Sequence, residues 1–207
     1  GGSFESRGSL EFEAIDVGGT VHLFGKSKGR SIAVGGSFRV EGDLEFEEID
    51  VGGMVEIRGS GQGKELEVGG LVNVDGSLRL SQNLKVGGKA DIRDEVSALS
   101  IDVGGSLKAK KVVAQQRVEV GGLLDTNEGT IALVVEIGKR GEVHGSIRAD
   151  DIVVGKDAHV EDVYGKNLLL RSGAKAGNVY GESVVVESHC EVRGELKYVR
   201  DVRLGEH

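Results

Sequence analysis

The chain has 207 residues, with 26 Lys and Arg against 34 Asp and Glu, a formal net charge of −8, 35 glycines, no proline and no tryptophan. The acidic balance and the lack of a basic stripe interleaved with aromatics exclude a nucleic-acid groove. The sequence also reads without a membrane-spanning apolar run, a signal peptide or an amphipathic helix. Glycine is more than double its usual ~7% share, which suits a thin body with a narrow core.

A glycine pair opens the chain at Gly1-Gly2. It returns at Gly18-Gly19, Gly35-Gly36, Gly52-Gly53, Gly69-Gly70, Gly87-Gly88, Gly104-Gly105 and Gly121-Gly122, and Gly138 and Gly155 carry the beat onward. The period is 17 with one step of 18, so about 12 repeats fill the chain. Self-similarity at this spacing denotes a solenoid, whose repeats cannot bury their apolar sides alone. In the third repeat the apolar residues are Phe38 and Val40, then Leu44 and Phe46, then Ile49 and Val51. Three such alternating pairs predict three short strands per coil, each turning every other side chain inward, separated by corners that reset the alternation. The predicted fold is therefore all-β: a single continuous three-sided parallel β-helix over residues 1–207, GG-rich over 1–136 and changed in style over 137–204.

The glycine pairs are expected at corners, where turning needs backbone angles that a Cβ disfavours. A second column, Gly8, Gly25, Gly42, Gly59, Gly76 and Gly145, marks the next corner. Proline is absent, as expected where interior strands donate nearly every N–H to the adjoining coil. Repeats one and three agree at 12 positions, and both put a Leu and a Phe on the second face where repeats two and four have Ser27 with Gly29 and Gly61 with Gly63. Phe12 and Phe46 are thus expected to spread over neighbouring coils. Glu13, Arg30, Glu47 and Lys64 share one outward column and set register more than stability.

Between positions 109 and 133 an unbroken register would turn Gln115, Thr126 and Thr130 inward, which predicts a local slip. Further on, Ala158, Val160, Val163, Gly165, Leu168 and Leu170 are answered by Ala174, Ala176, Val179, Gly181, Val184 and Val186, each one place earlier than the main period would put it, so one corner has lost a residue. Tyr164 and Tyr180 fall in one outward column and are expected to stack, with Tyr198 the next tyrosine along the chain.

Candidate chemistry is sparse. Cys190 shares an inward column with Ala158 and Ala174 and reads as a small buried residue rather than a reactive thiol. Gly59-Ser60-Gly61-Gln62-Gly63-Lys64-Glu65 departs from a phosphate loop at Arg58 and Glu65, and no helix follows. His22, His144, His159, His189 and His207 show no ligand spacing, and His207 reads as a tag remnant. Calcium-binding glycine repeats have a period of about nine with an Asp in each, and neither is present. No catalytic, cofactor or metal residues are therefore assigned.

From Ile137 onward the sequence carries the pattern V-x-G-x-I-x-A-x-x-I-x-V-G at Val143, Gly145, Ile147, Ala149, Ile152, Val154 and Gly155. This stretch resembles the bactofilins, polymer-forming cytoskeletal proteins of bacteria and archaea, whereas the GG-rich remainder matches by period only. The resemblance implies a right-handed β-helix whose subunits join end to end into cytoplasmic filaments without nucleotide. The partner is then the chain itself, with no cofactor, small-molecule substrate or nucleic acid. Twelve coils is nearly double the family's usual core, and its membrane-targeting peptide is not seen. Membrane association is expected only through a segment ahead of Gly1, where the chain begins in phase without a methionine.

Open strand edges and apolar cross-sections at the terminal coils invite another subunit. The predicted polymerisation ends are Phe4, Leu10, Phe12, Ile15 and Val17 on one side, and Cys190, Val192, Leu196, Val202 and Leu204 on the other. Two other classes compete. A left-handed hexapeptide-repeat acyltransferase needs multiples of six and an inserted loop, and a polysaccharide lyase needs long loops over one face. An adhesive or binding solenoid surface is the third alternative.

Overall fold

The computed structural model describes residues 2–205, apart from the side chain of Asp201; Gly1, Glu206 and His207 lie outside the described residues. Every regular element among them is a β-strand, and the strands pair in parallel. The chain divides into two compact units, Gly1–Val103 and Gly104–His207.

In the first unit, strand Ser3–Glu5 pairs with Thr20–Phe24, which pairs with Ser37–Glu41, then Met54–Ile57, Leu71–Val74 and the start of Lys89–Val103. The register stacks Phe4, Val21, Phe38, Val55, Val72 and Ala90 in one column. A parallel β-solenoid with the expected inward pairs results, because alternate side chains share a face and each repeat returns every position to its own column. The one longer step is explained at a single corner. Leu78 pairs with Gly61, a regular repeat back, whereas Leu84 pairs with Leu66 and not with Glu67, so the extra residue lies between Leu78 and Leu84. The Gln82 carbonyl there accepts from the Leu99 and Ser100 amides at 2.7 and 3.4 Å.

The glycine pairs correct the expectation drawn from the sequence. None of the described pair glycines has a positive φ; in the second column Gly25 (75°) and Gly145 (99°) do, and for them the turning argument holds, whereas Gly59 and Gly76 do not and stand against the backbone of the preceding coil. At the pairs the constraint is stacking: a Cβ on Gly36 would stand 2.5 Å from the Gly19 carbonyl oxygen, and one on Gly52 2.8 Å from that of Gly35. Backbone lies directly on backbone from coil to coil, and a side chain would force the coils apart.

On the second face, Phe12 pairs with Gly29 and Gly29 with Phe46, and Leu44 lies between Ser27 and Gly61. A Cβ at Gly29 would fall within the Phe12 ring, and one at Gly63 within the Phe46 ring. Each phenylalanine thus fills the volume left by the next coil's glycine, and Phe46 is buried.

The second unit begins with the same architecture and then changes it. The slip lies where Ala109, Val112 and Ala114 take the inward places, which turns Gln115 outward and exposed, against the unbroken register. Thr126 and Thr130 do sit in the core. Thr126 Oγ1 donates to the His144 carbonyl at 3.3 Å, and Thr130 Oγ1 has no partner. From Ile137 the corner lengthens and is turned by one residue in the left-handed region, at Arg140 (58°), Asp157 (58°), Gly173 (77°) and His189 (60°). The column on the second face becomes small throughout: Ala114, Ala132, Ala149, Gly165 and Gly181. A Cβ at Gly165 or Gly181 would stand 2.9 Å from a Leu168 methyl, so third-face leucine fills the second-face gap.

Candidate functional site

The two terminal coils hold the residues that the sequence nominates, and their exposure differs from that of their own columns. Phe4 is 40% exposed, whereas Val21, Phe38 and Val55 behind it are fully buried. Leu10, Phe12 and Val17 are half-buried and Ile15 is buried. Strands Ser3–Glu5 and Glu11–Val17 pair with Thr20–Phe24 and Ser27–Val34, and among the described residues each has a strand neighbour on that side only.

At the other end Leu204 is 69% exposed, whereas Leu170 in its column is fully buried. Cys190, Val192, Leu196 and Val202 are half-buried. Strands Glu191–Val192 and Leu196–Leu204 pair only with Lys175–Ala176 and Val179–Val186 among the described residues. The Cys190 thiol, pushed above its ordinary pKa by burial, lies 3.1 Å from the Arg171 carbonyl. It packs in a terminal coil but is only half-buried, whereas Ala158 and Ala174 in its column are fully buried.

Simple repeat counting misses a bulge at this end. The register between Val179–Val186 and Leu196–Leu204 shifts at Gly181/Ser183, and Val199 bulges out at 82% exposure. Its only signal in the sequence is a longer final step. A separate extra residue earlier in this coil, between Val192, paired with Ala176, and Leu196, paired with Val179, takes Tyr198 out of the tyrosine column, where Lys197 pairs with Tyr180 instead. Tyr164 and Tyr180 stack as expected, with parallel rings 5.0 Å apart, Arg148 at 5.4 Å from the first and Lys197 at 5.3 Å from the second. The ring faces are thereby used within the solenoid itself.

The remaining surface is a self-paired lattice of charges. Arg30 meets Glu13 at 3.3 Å and Lys64 meets Glu47 at 2.9 Å, so the outward column of alternating sign is realised. The Lys64 hydrogen bond and charge hold the Glu47 carboxyl below its usual pKa. An open groove of about 650 Å³ runs along this face between the charged columns, with Gly29 and Gly63 in its floor. A second groove, of about 410 Å³ in the second unit, holds His144, His159, Lys175 and Arg193. There His144 is raised in pKa by its 2.9 Å hydrogen bond to Glu142. Gly61–Gly63 is a strand paired on both sides, so the phosphate-loop-like segment is ordinary solenoid wall.

Among the described residues no three His, Cys, Asp or Glu side chains are placed to hold a metal ion, and no helix is long and apolar enough to cross a membrane. Comparison with protein-family models, curated proteins and solved structures finds no match for the chain. The β-solenoid, with its apolar terminal coils and self-paired walls, is consistent with a structural, scaffold-like role.

Proposed function

We propose that this chain is a structural, bactofilin-like polymer former that stacks end to end into cytoplasmic filaments, without nucleotide and without catalysing a reaction. The observation that carries the proposal is the contrast within single columns: Phe4 and Leu204 are exposed where the same positions one or two coils inward are buried. A second copy stacked on either end extends those columns, removes apolar surface from water and gives the free strand edges hydrogen-bond partners. The resemblance over the stretch from Ile137 onward supports the same reading. Membrane association, through a segment ahead of Gly1, belongs to this proposal as an addition.

The test places one charge in each joint. Leu204→Lys alters an exposed side chain, so the variant keeps its β-rich circular dichroism; Leu10→Lys probes the other end. A buried unpaired charge in the joint is costly, whereas in the free chain it reaches water. Sedimentation is expected to show both variants stopped at monomers or dimers under conditions in which the unaltered chain elongates. Normal elongation of both variants would show that the ends are not the joints.

A further inference from the structure

We infer that the third face of the last coils is a lateral interface: a second copy of this chain lies against it side by side, with the two solenoids antiparallel. The inference goes beyond the joints at the ends and does not depend on them.

The outward column of the third face changes character along the chain. In the first unit it is charged: Asp50 pairs with Glu67, Glu67 with Lys85 and Lys85 with Asp102, so each strand alternates apolar with charged. In the second unit the same column reads Glu136, Val153, Leu169, Val185 and Arg203. Residues 152–154, 168–170 and 184–186 are accordingly unbroken apolar runs, whose middle members Val153, Leu169 and Val185 point out of the solenoid and are only half-buried. Parallel strands that read as continuous apolar runs belong to sheets covered on both faces. The solenoid core covers only one.

The order of that column identifies the second cover. It is apolar at its three central places, acidic at one end and basic at the other, so it is complementary to itself when reversed. A two-fold axis along the strand direction at Leu169 sets Leu169 on its own image, Val153 on Val185 and Glu136 on Arg203 of the second copy. The adjoining outward column, Asp151, Asn167 and Ser183, agrees: reversal brings the Asp151 carboxylate to the Ser183 hydroxyl and the Asn167 amide to its own image. Glu136 has charge to spare, because Arg117 Nη2 serves both Glu119 at 2.8 Å and Glu136 at 2.6 Å. At the rim Arg171 meets its own image, and Glu187 of the next coil in each copy supplies the counter-charge. A parallel pair would instead lay the apolar column on Asp151 and Asn167, taking a carboxylate out of water against valine. The contact spans a narrow face, the size of a transient interface, so it is weak between single chains and adds up wherever chains are linked.

The experiment reads the face and not the ends. In the full chain carrying Cys190→Ala, one outward cysteine is introduced as Leu169→Cys, Val153→Cys or Val185→Cys and treated with a short bismaleimide; circular dichroism melts check folding. Leu169→Cys is expected to crosslink to itself as a dimer. Val153→Cys mixed with Val185→Cys should crosslink several-fold more than either does alone. Glu136→Arg or Arg203→Glu, added to Leu169→Cys, should lower the dimer yield roughly threefold or more in low salt, and the two together should restore it. Dimer yields no higher than those of Asp50→Cys, in the charged column of the first unit, overturn the inference. So does Val153→Cys crosslinking to itself as well as to Val185→Cys, the mark of a parallel pair, and so does a yield indifferent to both charge reversals. Filaments without crosslinks at this face would sink the lateral interface and leave the end-to-end reading standing; crosslinks in a chain that does not elongate would do the reverse.

Discussion

The GG-rich coils of the first unit and the coils that follow Ile137 build the same solenoid wall by opposite means. In the former, a corner is two glycines whose backbone stacks on the glycines of the previous coil, as at Gly36 over Gly19. In the latter, the corner is longer and one residue takes the left-handed conformation, as at Arg140, Asp157 and His189. The second face differs too: Phe12, Gly29, Phe46 and Gly63 alternate large with nothing, whereas Ala149, Gly165 and Gly181 are uniformly small, and Leu168 overlies the two glycines from the third face. A corner can thus be made tight by removing side chains or loose by accepting local strain. The first choice ties each coil to its neighbour's backbone at two glycines; the second keeps one such glycine, as at Gly138 over Gly121 and Gly155 over Gly138, and lets the rest of the corner carry side chains.

The largest expected effect is on the alternating face. Phe46→Ala removes a buried ring that fills space over Gly63 and should destabilise by about 3–5 kcal/mol, measured by denaturant or thermal unfolding. A loss below about 1 kcal/mol would mean that the glycines beside it are not held open by the ring. Next comes the glycine pair itself. Gly36→Ala puts a methyl against the Gly19 carbonyl, and should cost about 1–3 kcal/mol although φ is unremarkable there. A neutral result would show that coil spacing is set elsewhere and that the two kinds of corner do not differ as described. The smallest effect has the opposite sign. Arg140→Gly relieves a left-handed residue and should leave stability unchanged or raised, by up to about 1 kcal/mol. A clear loss would place Arg140's side chain in a supporting role that the structure does not show.

The repeat, the inward columns and the tyrosine stack are legible in the sequence because each depends only on a fixed period and on side-chain alternation. The reason for the glycine pairs is not. A glycine demanded by a positive φ and one demanded by a close backbone look the same in one dimension, and in the two glycine columns Gly25 and Gly145 follow the first rule while the pairs follow the second. Gln115 marks a slip that the sequence predicts without giving its place. Its neighbour Ala114 fits the inward column equally well, so alternation cannot tell which of the two faces the core. The terminal coils are identified by position alone, yet the extra residue before Leu196 that displaces Tyr198 and the bulge at Val199 appear in the sequence only as a longer final step.

On the proposed reading, apolar cross-sections and free strand edges drive assembly without an energy source. Negative-stain microscopy of the purified chain in EDTA, with no ATP or GTP, tests this most directly. The expected result is filaments whose length increases with protein concentration. Dispersed single particles at every concentration, or filaments that appear only when nucleotide or a divalent metal is added, would contradict it.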